Sequence, residues 1–153
     1  MLEIGQPAPD FTLNGTDKAP HTLSELRGTP VLLVFHPFSF TGICEAELCQ
    51  IRDDHEPFTE AGVQVFALSC DPAPSQARWA EEHGWTFPML SDFWPHGAVA
   101  QAYGVFNDER GCAVRSTFLV GADGDVLDAF GTDSLGTPRE ADRYREALAK
   151  LTA

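Results

Sequence analysis

Two short, unbroken apolar runs organise the chain. Val31-Leu32-Leu33-Val34-Phe35, bounded by Pro30 and Pro37, is the first, and Val63-Gln64-Val65-Phe66-Ala67-Leu68 is the second. Branched, apolar runs of this length predict strands covered on both faces of a sheet. Between them Ile43, Leu48, Ile51 and Phe58 approximate helical spacing, and Gly62 supplies a stop after Glu60. The pattern predicts a strand, a crossover helix carrying Cys44 and Cys49, and a second strand.

Outside this unit the pattern is more broken. Pro7, Pro9, Asn14, Gly15 and Pro20 divide the first twenty residues, leaving Phe11-Thr12-Leu13 and Pro20-His21-Thr22 for a small hairpin that lids the fold. A helix near 75–83, a strand end at 87–90 and a helical stretch around 98–103 follow. A hairpin pairing 116–120 with 126–130 is expected around Ala122-Asp123-Gly124, because Asp-Gly favours tight turns. Pro138 is expected to open a last amphipathic helix with Tyr144, Leu148 and Leu151 on one face. The elements predict one α/β domain over 1–153, with a mixed central sheet, helices on both faces and an N-terminal hairpin. A thioredoxin-like fold fits this order best.

Charge narrows the choice of partners. Ten basic against 23 acidic residues give a formal charge of −13, whose field repels phosphate backbones and anionic lipid. Neither nucleic acid nor a membrane surface is expected as a partner. The apolar runs fall short of the roughly 18 residues that span a bilayer. The start, Met1-Leu2-Glu3-Ile4-Gly5-Gln6-Pro7, lacks a basic, apolar leader pattern, so a cytoplasmic protein is expected. Cys44, Cys49, Cys70 and Cys112 are then expected as reduced thiols, available for redox chemistry or metal binding.

The segment Pro37-Phe38-Ser39-Phe40-Thr41-Gly42-Ile43-Cys44 joins a buried strand to a helix, placing Cys44 in the first helical turn. Unpaired N–H groups and a partial positive charge at that position favour a thiolate. Reduction of a peroxide needs an attacking sulfur, donors that polarise the breaking O–O bond and a wall that excludes water. Thr41, backbone amides, Pro37 and the nearby phenylalanines suit those parts.

Pro37, Thr41 and Cys44 stand at the spacing of the peroxiredoxin signature, with Glu47 three positions on. The likeness continues through Ala8-Pro9-Asp10-Phe11, Phe87-Pro88-Met89-Leu90-Ser91-Asp92, Tyr103-Gly104-Val105 and Arg115-Ser116-Thr117-Phe118, in the family's order. The chain therefore resembles the peroxiredoxins (AhpC/TSA family) over nearly its whole length. Phe40-Thr41-Gly42-Ile43-Cys44 and Phe93-Trp94-Pro95-His96-Gly97-Ala98-Val99 resemble the one-cysteine AhpE-type branch most.

That resemblance implies a thiol peroxidase without a bound cofactor, acting on hydrogen peroxide, organic hydroperoxides or peroxynitrite. It implies that Cys44 is the peroxidatic cysteine and that Thr41 hydrogen-bonds peroxide and thiolate. Pro37 would shield the site, Arg115 would hold thiolate and substrate oxygens, and Glu47 would orient an arginine. Arg115 suits its part physically, since a guanidinium stays charged and offers several donors. A homodimer through loops near the site is also implied, with Phe38, Phe93 and Trp94 as candidate apolar contacts.

Cys49 departs from the one-cysteine pattern. A cysteine five positions after the peroxidatic one is the resolving arrangement of PrxQ-type peroxiredoxins, and Ile51-Arg52-Asp53 is similar to that branch. In an intact helix the two Cα atoms lie roughly 8 to 9 Å apart and about 140° around the axis, whereas a disulfide needs about 7 Å or less. Resolution by Cys49 therefore requires local unwinding. The alternative is direct reduction by a thioredoxin-, glutaredoxin- or mycoredoxin-like protein or a low-molecular-weight thiol. Cys70 and Cys112 are read as incidental or as reserve resolving thiols. Two other classes remain open from the residues alone: a binding-only thioredoxin-like module, and a Cys/His metal site using Cys44, Cys49 and His55.

Overall fold

A computed structural model describes residues 1–54, 56–132 and 134–151, with the side chain of Asp54 also left undescribed. Strand β1 (Thr12–Asn14) pairs antiparallel with β2 (Pro20–Thr22), forming the expected hairpin, and a short 3-10 turn (Leu23–Leu26) follows. The first apolar run is β3 (Val31–Phe35), every residue of which is buried. Helix α1 (Gly42–Asp54) comes next. Helical residues resume as α2 (Glu56–Glu60), which carries Phe58, and His55 between the two stretches lies outside the described residues. Gly62 adopts a positive φ of 77°, which ends the crossover at the place predicted.

Strand β4 (Gln64–Ser69), α3 (Ala73–His83), β5 (Met89–Ser91) and α4 (Ala98–Ala102) follow in order. A two-residue ribbon, β6 (Phe106–Asn107) with β7 (Cys112–Ala113), precedes the hairpin of β8 (Ser116–Val120) and β9 (Val126–Gly131). That ribbon was not legible in the sequence, since two-residue strands carry no periodicity. Helix α5 (Asp142–Ala149) ends the described fold. It begins at Asp142 and not at Pro138, and Arg139 between them is drawn inward, its backbone N–H donating to Glu47 Oε2 at 2.8 Å.

The five-stranded sheet has the order β5-β4-β3-β8-β9. Its β5-β4-β3 part is parallel, and β8 and β9 add antiparallel to it. Alternation along the strands divides the interior. Leu33, Phe35, Phe66, Leu68 and Phe118 face Phe11 and Leu13 of the N-terminal segment and Tyr103 just after α4. Leu32, Val34, Val65, Ala67 and Leu119 face α1, α2, α3 and α5 through Cys44, Leu48, Phe58, Trp79 and Ala147. Helices on both faces are therefore observed, as expected. No described helix is long and apolar enough to cross a membrane.

Register fixes where the chemistry sits. Phe35 aligns with Leu68 on one side and Ser116 on the other, so the ends of β3 and β4 and the start of β8 share one edge of the sheet. Leu68 aligns with Leu90, which brings the loop after β5 to the same edge. Loops from four strands therefore converge there, as ligand sites in open α/β sheets do.

Candidate active site

The loop after β3 turns sharply into α1. Phe40 takes a positive φ of 62°, uncommon for a bulky residue, and its ring packs 5.9 Å from that of Trp79. Asp71 Oδ2 accepts from Ser39 N at 2.8 Å and Ser39 Oγ at 2.9 Å, tying this loop to the end of β4. At the head of α1, Glu45 Oε1 pairs with His83 Nε2 at 2.6 Å, fixing the helix to α3. The third residue of α1 is Cys44, fully buried, where helical N–H groups have no intrahelical acceptor.

Arg115, just ahead of β8, reaches across the sheet edge and donates from Nη1 to Cys44 Sγ at 3.1 Å. The same nitrogen donates to Glu47 Oε1 at 2.5 Å, and Nε donates to the Leu135 carbonyl at 2.8 Å. Glu47, one turn beyond Cys44, also takes three hydrogen bonds from Arg139: backbone N at 2.8 Å, Nε at 2.9 Å and Nη2 at 3.0 Å. Arg139 Nη1 then donates to the Phe35 carbonyl at 2.5 Å and the Ser116 carbonyl at 2.8 Å. One carboxylate thus holds two guanidiniums, and the second is anchored on the backbone of β3 and β8.

Burial makes the charge balance of this cluster decisive. The side chains of Arg115, Glu47 and Arg139 are 3%, 8% and 1% exposed. Two cations and one carboxylate leave one positive charge, and Cys44 Sγ is the side-chain acceptor that Arg115 Nη1 meets beside Glu47. An uncompensated buried charge is costly, so an anion is favourable in this place. Burial pushes the Glu47 carboxyl up, but the hydrogen bonds and charge of Arg139 and the charge of Arg115 outweigh it and hold the carboxyl below its ordinary range.

Pro37 and Thr41 lie on the loop that leads into Cys44. Pro37 is buried behind the loop, and the Thr41 hydroxyl donates to the Phe38 carbonyl at 2.8 Å, leaving its oxygen as an acceptor. Cys49 lies half-buried on α1, which is continuous through both cysteines. All four cysteines are free thiols. Arg139 was missed from sequence, and the only signal for it was an arginine close after a proline. His55, named for a possible metal site, lies outside the described residues. Among the described residues, no group of three His, Cys, Asp or Glu side chains is placed to hold a metal ion.

His36, next to Pro37, is fully buried against Trp79, and neither ring nitrogen has a hydrogen-bond partner among the described residues. Burial, partly opposed by Asp71 and reinforced by Arg139, lowers its pKa from 6.5 to about 4. The unfolded chain binds this proton below pH 6.5 and the native chain only near pH 4, so native stability falls as pH drops through that window. Roughly 2 to 3 kcal/mol is expected to be lost by about pH 4.5 from this residue. Urea unfolding of wild type and His36→Phe at neutral and acid pH measures it: the wild type should lose more stability by that amount. Equal losses would show that His36 does not titrate between the two states.

Comparisons with known proteins agree with this geometry. The model of the AhpC/TSA family matches residues 4–129. Alkyl hydroperoxide reductase E of Mycobacterium tuberculosis is 47% identical over 154 residues, covering 100% of both chains. A peroxiredoxin of Thermoplasma volcanium is 37% identical over 76% of this chain and 59% of its own. Among solved structures, peroxidoxin BcpB of Mycobacterium tuberculosis superposes with a TM-score of 0.85 at 32% identity, covering 99% of this chain and 97% of that one. Mycobacterium tuberculosis AhpC gives a TM-score of 0.86 at 26% identity over 100% and 94%. The fold is thioredoxin-like, and the chain belongs to the AhpC/TSA family: it is a peroxiredoxin, a thiol-dependent peroxidase.

Proposed function

We propose that Cys44 is the peroxidatic cysteine of this enzyme. Its thiolate attacks the terminal oxygen of a hydroperoxide, the O–O bond breaks, and Cys44 becomes a sulfenic acid while the leaving alkoxide or hydroxide takes a proton. The observation that carries this reading is the Arg115 Nη1 to Cys44 Sγ contact of 3.1 Å inside a buried cluster that lacks one negative charge without the thiolate. As the O–O bond lengthens, negative charge moves to the leaving oxygen, where Arg115 and the helix N–H groups can receive it. Thr41 aligns the peroxide through its free lone pairs, and Pro37 and the phenylalanines keep water away. Glu47 and Arg139 are positioning residues that hold Arg115 in place.

The substrate class is hydrogen peroxide, organic hydroperoxides and peroxynitrite, and electrons return through a thiol. A thioredoxin-, glutaredoxin- or mycoredoxin-like protein or a low-molecular-weight thiol is the reductant. Resolution by Cys49 requires α1 to unwind, since five helical residues keep the two sulfurs on different sides. Phe38, Phe93 and Trp94, which are 38%, 46% and 81% exposed, lie on loops at the sheet edge of the site and support a homodimer through that edge. A cytoplasmic location fits a site that depends on reduced thiols.

Stopped-flow mixing of the reduced protein with hydroperoxide tests the reading, because Trp79 lies against both His36 and Phe40 and reports changes at the site. A fast fluorescence change is expected, with dimedone forming a thioether at the sulfenic sulfur of the Cys44 peptide and releasing its oxygen as water. Trapping on any other cysteine, or none with peroxide unspent, would reject it.

A further inference from the structure

Two hydrogen bonds on the loop before Cys44 meet at one peptide group. The N–H of the Phe38–Ser39 peptide donates to Asp71 Oδ2 at 2.8 Å, and its carbonyl accepts from the Thr41 hydroxyl at 2.8 Å. A trans peptide is planar and its N–H and C=O point in opposite directions, so fixing one end fixes the other. Asp71 and Thr41 are thus joined through a single rigid unit, although Asp71 lies just past the end of β4, 32 residues from Ser39 in the chain.

Asp71 is itself held from several sides. Its Oδ2 also accepts from Ser39 Oγ at 2.9 Å and Ser69 Oγ at 2.6 Å, and its carbonyl accepts from Ser91 Oγ at 2.6 Å. Ser69 Oγ in turn accepts from Gln76 Nε2 at 2.8 Å, and the same nitrogen donates to the Leu90 carbonyl at 2.9 Å. Ser69 and Gln76 are fully buried, so β4, β5 and α3 all brace this one carboxylate. The loop needs such a brace. Phe40, next after Ser39, has a φ of 62°, a conformation that surrounding structure must impose on a bulky residue.

We propose that Asp71 is a positioning residue for peroxide reduction: through the Phe38–Ser39 peptide it fixes the Thr41 hydroxyl as a hydrogen-bond acceptor for the hydroperoxide. This rests on the reading of Cys44 as the peroxidatic cysteine and of Thr41 as the residue that aligns the peroxide. The groups form a chain in which every donor points the same way, from the Thr41 hydroxyl to the Phe38 carbonyl and from the Ser39 N–H to Asp71 Oδ2. Polarisation accumulates along such a chain. The carboxylate pulls on the N–H, the carbonyl oxygen gains electron density and binds the Thr41 hydrogen harder, and the Thr41 oxygen becomes the better acceptor.

With its own hydrogen committed, the Thr41 oxygen takes the O–H of the peroxide oxygen nearest the sulfur. The thiolate attacks that oxygen, the S–O bond forms as the O–O bond breaks, and the hydrogen stays on the sulfenic oxygen. The leaving alkoxide or hydroxide takes a proton from solvent. A hydroxyl free to rotate would present donor and acceptor by turns, and fewer peroxides would arrive aligned.

The test compares two reactions of the same sulfur. Alkylation of Cys44 by iodoacetamide needs the thiolate but no aligned O–H, whereas reduction of hydrogen peroxide needs both. Asp71→Ala is expected to slow hydrogen peroxide reduction by about tenfold to a hundredfold, the scale of a small misplacement at a reacting centre, while the Cys44 peptide alkylates at the wild-type rate. Asp71→Asn keeps the size and one weaker acceptor, so it should show the same split with a smaller loss, and it carries the test if urea unfolding shows the alanine variant unfolded. Ser39→Ala removes the hydroxyl bond but keeps the peptide N–H, and it should remain faster than Asp71→Ala. In a Thr41→Val background, with no hydroxyl left to orient, adding the Asp71 substitution should cost nothing further. Equal losses with and without the Thr41 hydroxyl, parallel losses in both reactions of a folded variant, or a full hydrogen peroxide rate in Asp71→Ala would overturn the proposal while leaving Cys44 as the peroxidatic residue. A wild-type protein whose Cys44 alkylates but spends no hydrogen peroxide would overturn both readings.

Discussion

Cys44→Ser is expected to reduce hydroperoxide consumption to the rate of protein-free solution, a loss of at least about a thousandfold by analogy with removal of other catalytic nucleophiles. The reason is chemical before it is structural. Serine fits the same space, yet its hydroxyl does not ionise near neutral pH and its oxygen is a far weaker nucleophile towards a peroxide. The buried cluster of Arg115, Glu47 and Arg139 keeps its geometry but carries one unbalanced positive charge. Some loss of thermal stability is therefore expected, with the far-UV circular dichroism unchanged. A competitive assay against a second peroxide scavenger measures the rate. Retained activity in this variant would move the nucleophile to another of the cysteines.

Arg115→Gln is expected to cost about a hundredfold to a thousandfold in the second-order rate with hydroperoxide, the scale found when one donor to a developing oxyanion is removed. Arg115 touches both ends of the chemistry, since Nη1 lies 3.1 Å from Cys44 Sγ and 2.5 Å from Glu47 Oε1. Without it, the thiolate and Glu47 put two negative charges against Arg139 alone, and a buried excess anion disfavours the reactive form. Glu47→Gln separates positioning from chemistry. It breaks two buried ion pairs at once, so roughly 3 to 5 kcal/mol of stability should be lost. The guanidinium of Arg115 remains in that variant, and the rate should fall less than in Arg115→Gln. Stopped-flow rates and urea unfolding on both variants check the ordering. A Glu47→Gln protein slower than Arg115→Gln would show that Glu47 does more than hold the arginine.

Several features were open to reading before any coordinates. The buried strand β3 follows from Val31 to Phe35 being apolar throughout, because a strand covered on both faces has no polar alternation to show. The hairpin of β8 and β9 follows from Asp123-Gly124, where Gly124 does adopt a positive φ of 95°. Cys44 follows from its place after Pro37 and Thr41, at a helix start where backbone N–H groups collect. Each of these is a local rule, written in neighbours within a turn or a strand. The start of α5 was misread for the complementary reason. Pro138 is a sound local signal, but Arg139 is held by Glu47, 92 residues away, and a pairing at that range leaves no trace in periodicity.

By itself, then, the sequence determined the longer strands, the crossover and the place of Cys44 at a helix start, because burial patterns and helix starts are set by adjacent residues. Tertiary structure decided the rest: that Glu47 would grip two arginines, and that His36 would be sealed without a hydrogen-bond partner among the described residues. The physical reason is that charge balance and burial depend on which loops the sheet register brings to one edge. That register is a property of strand pairing across the whole chain.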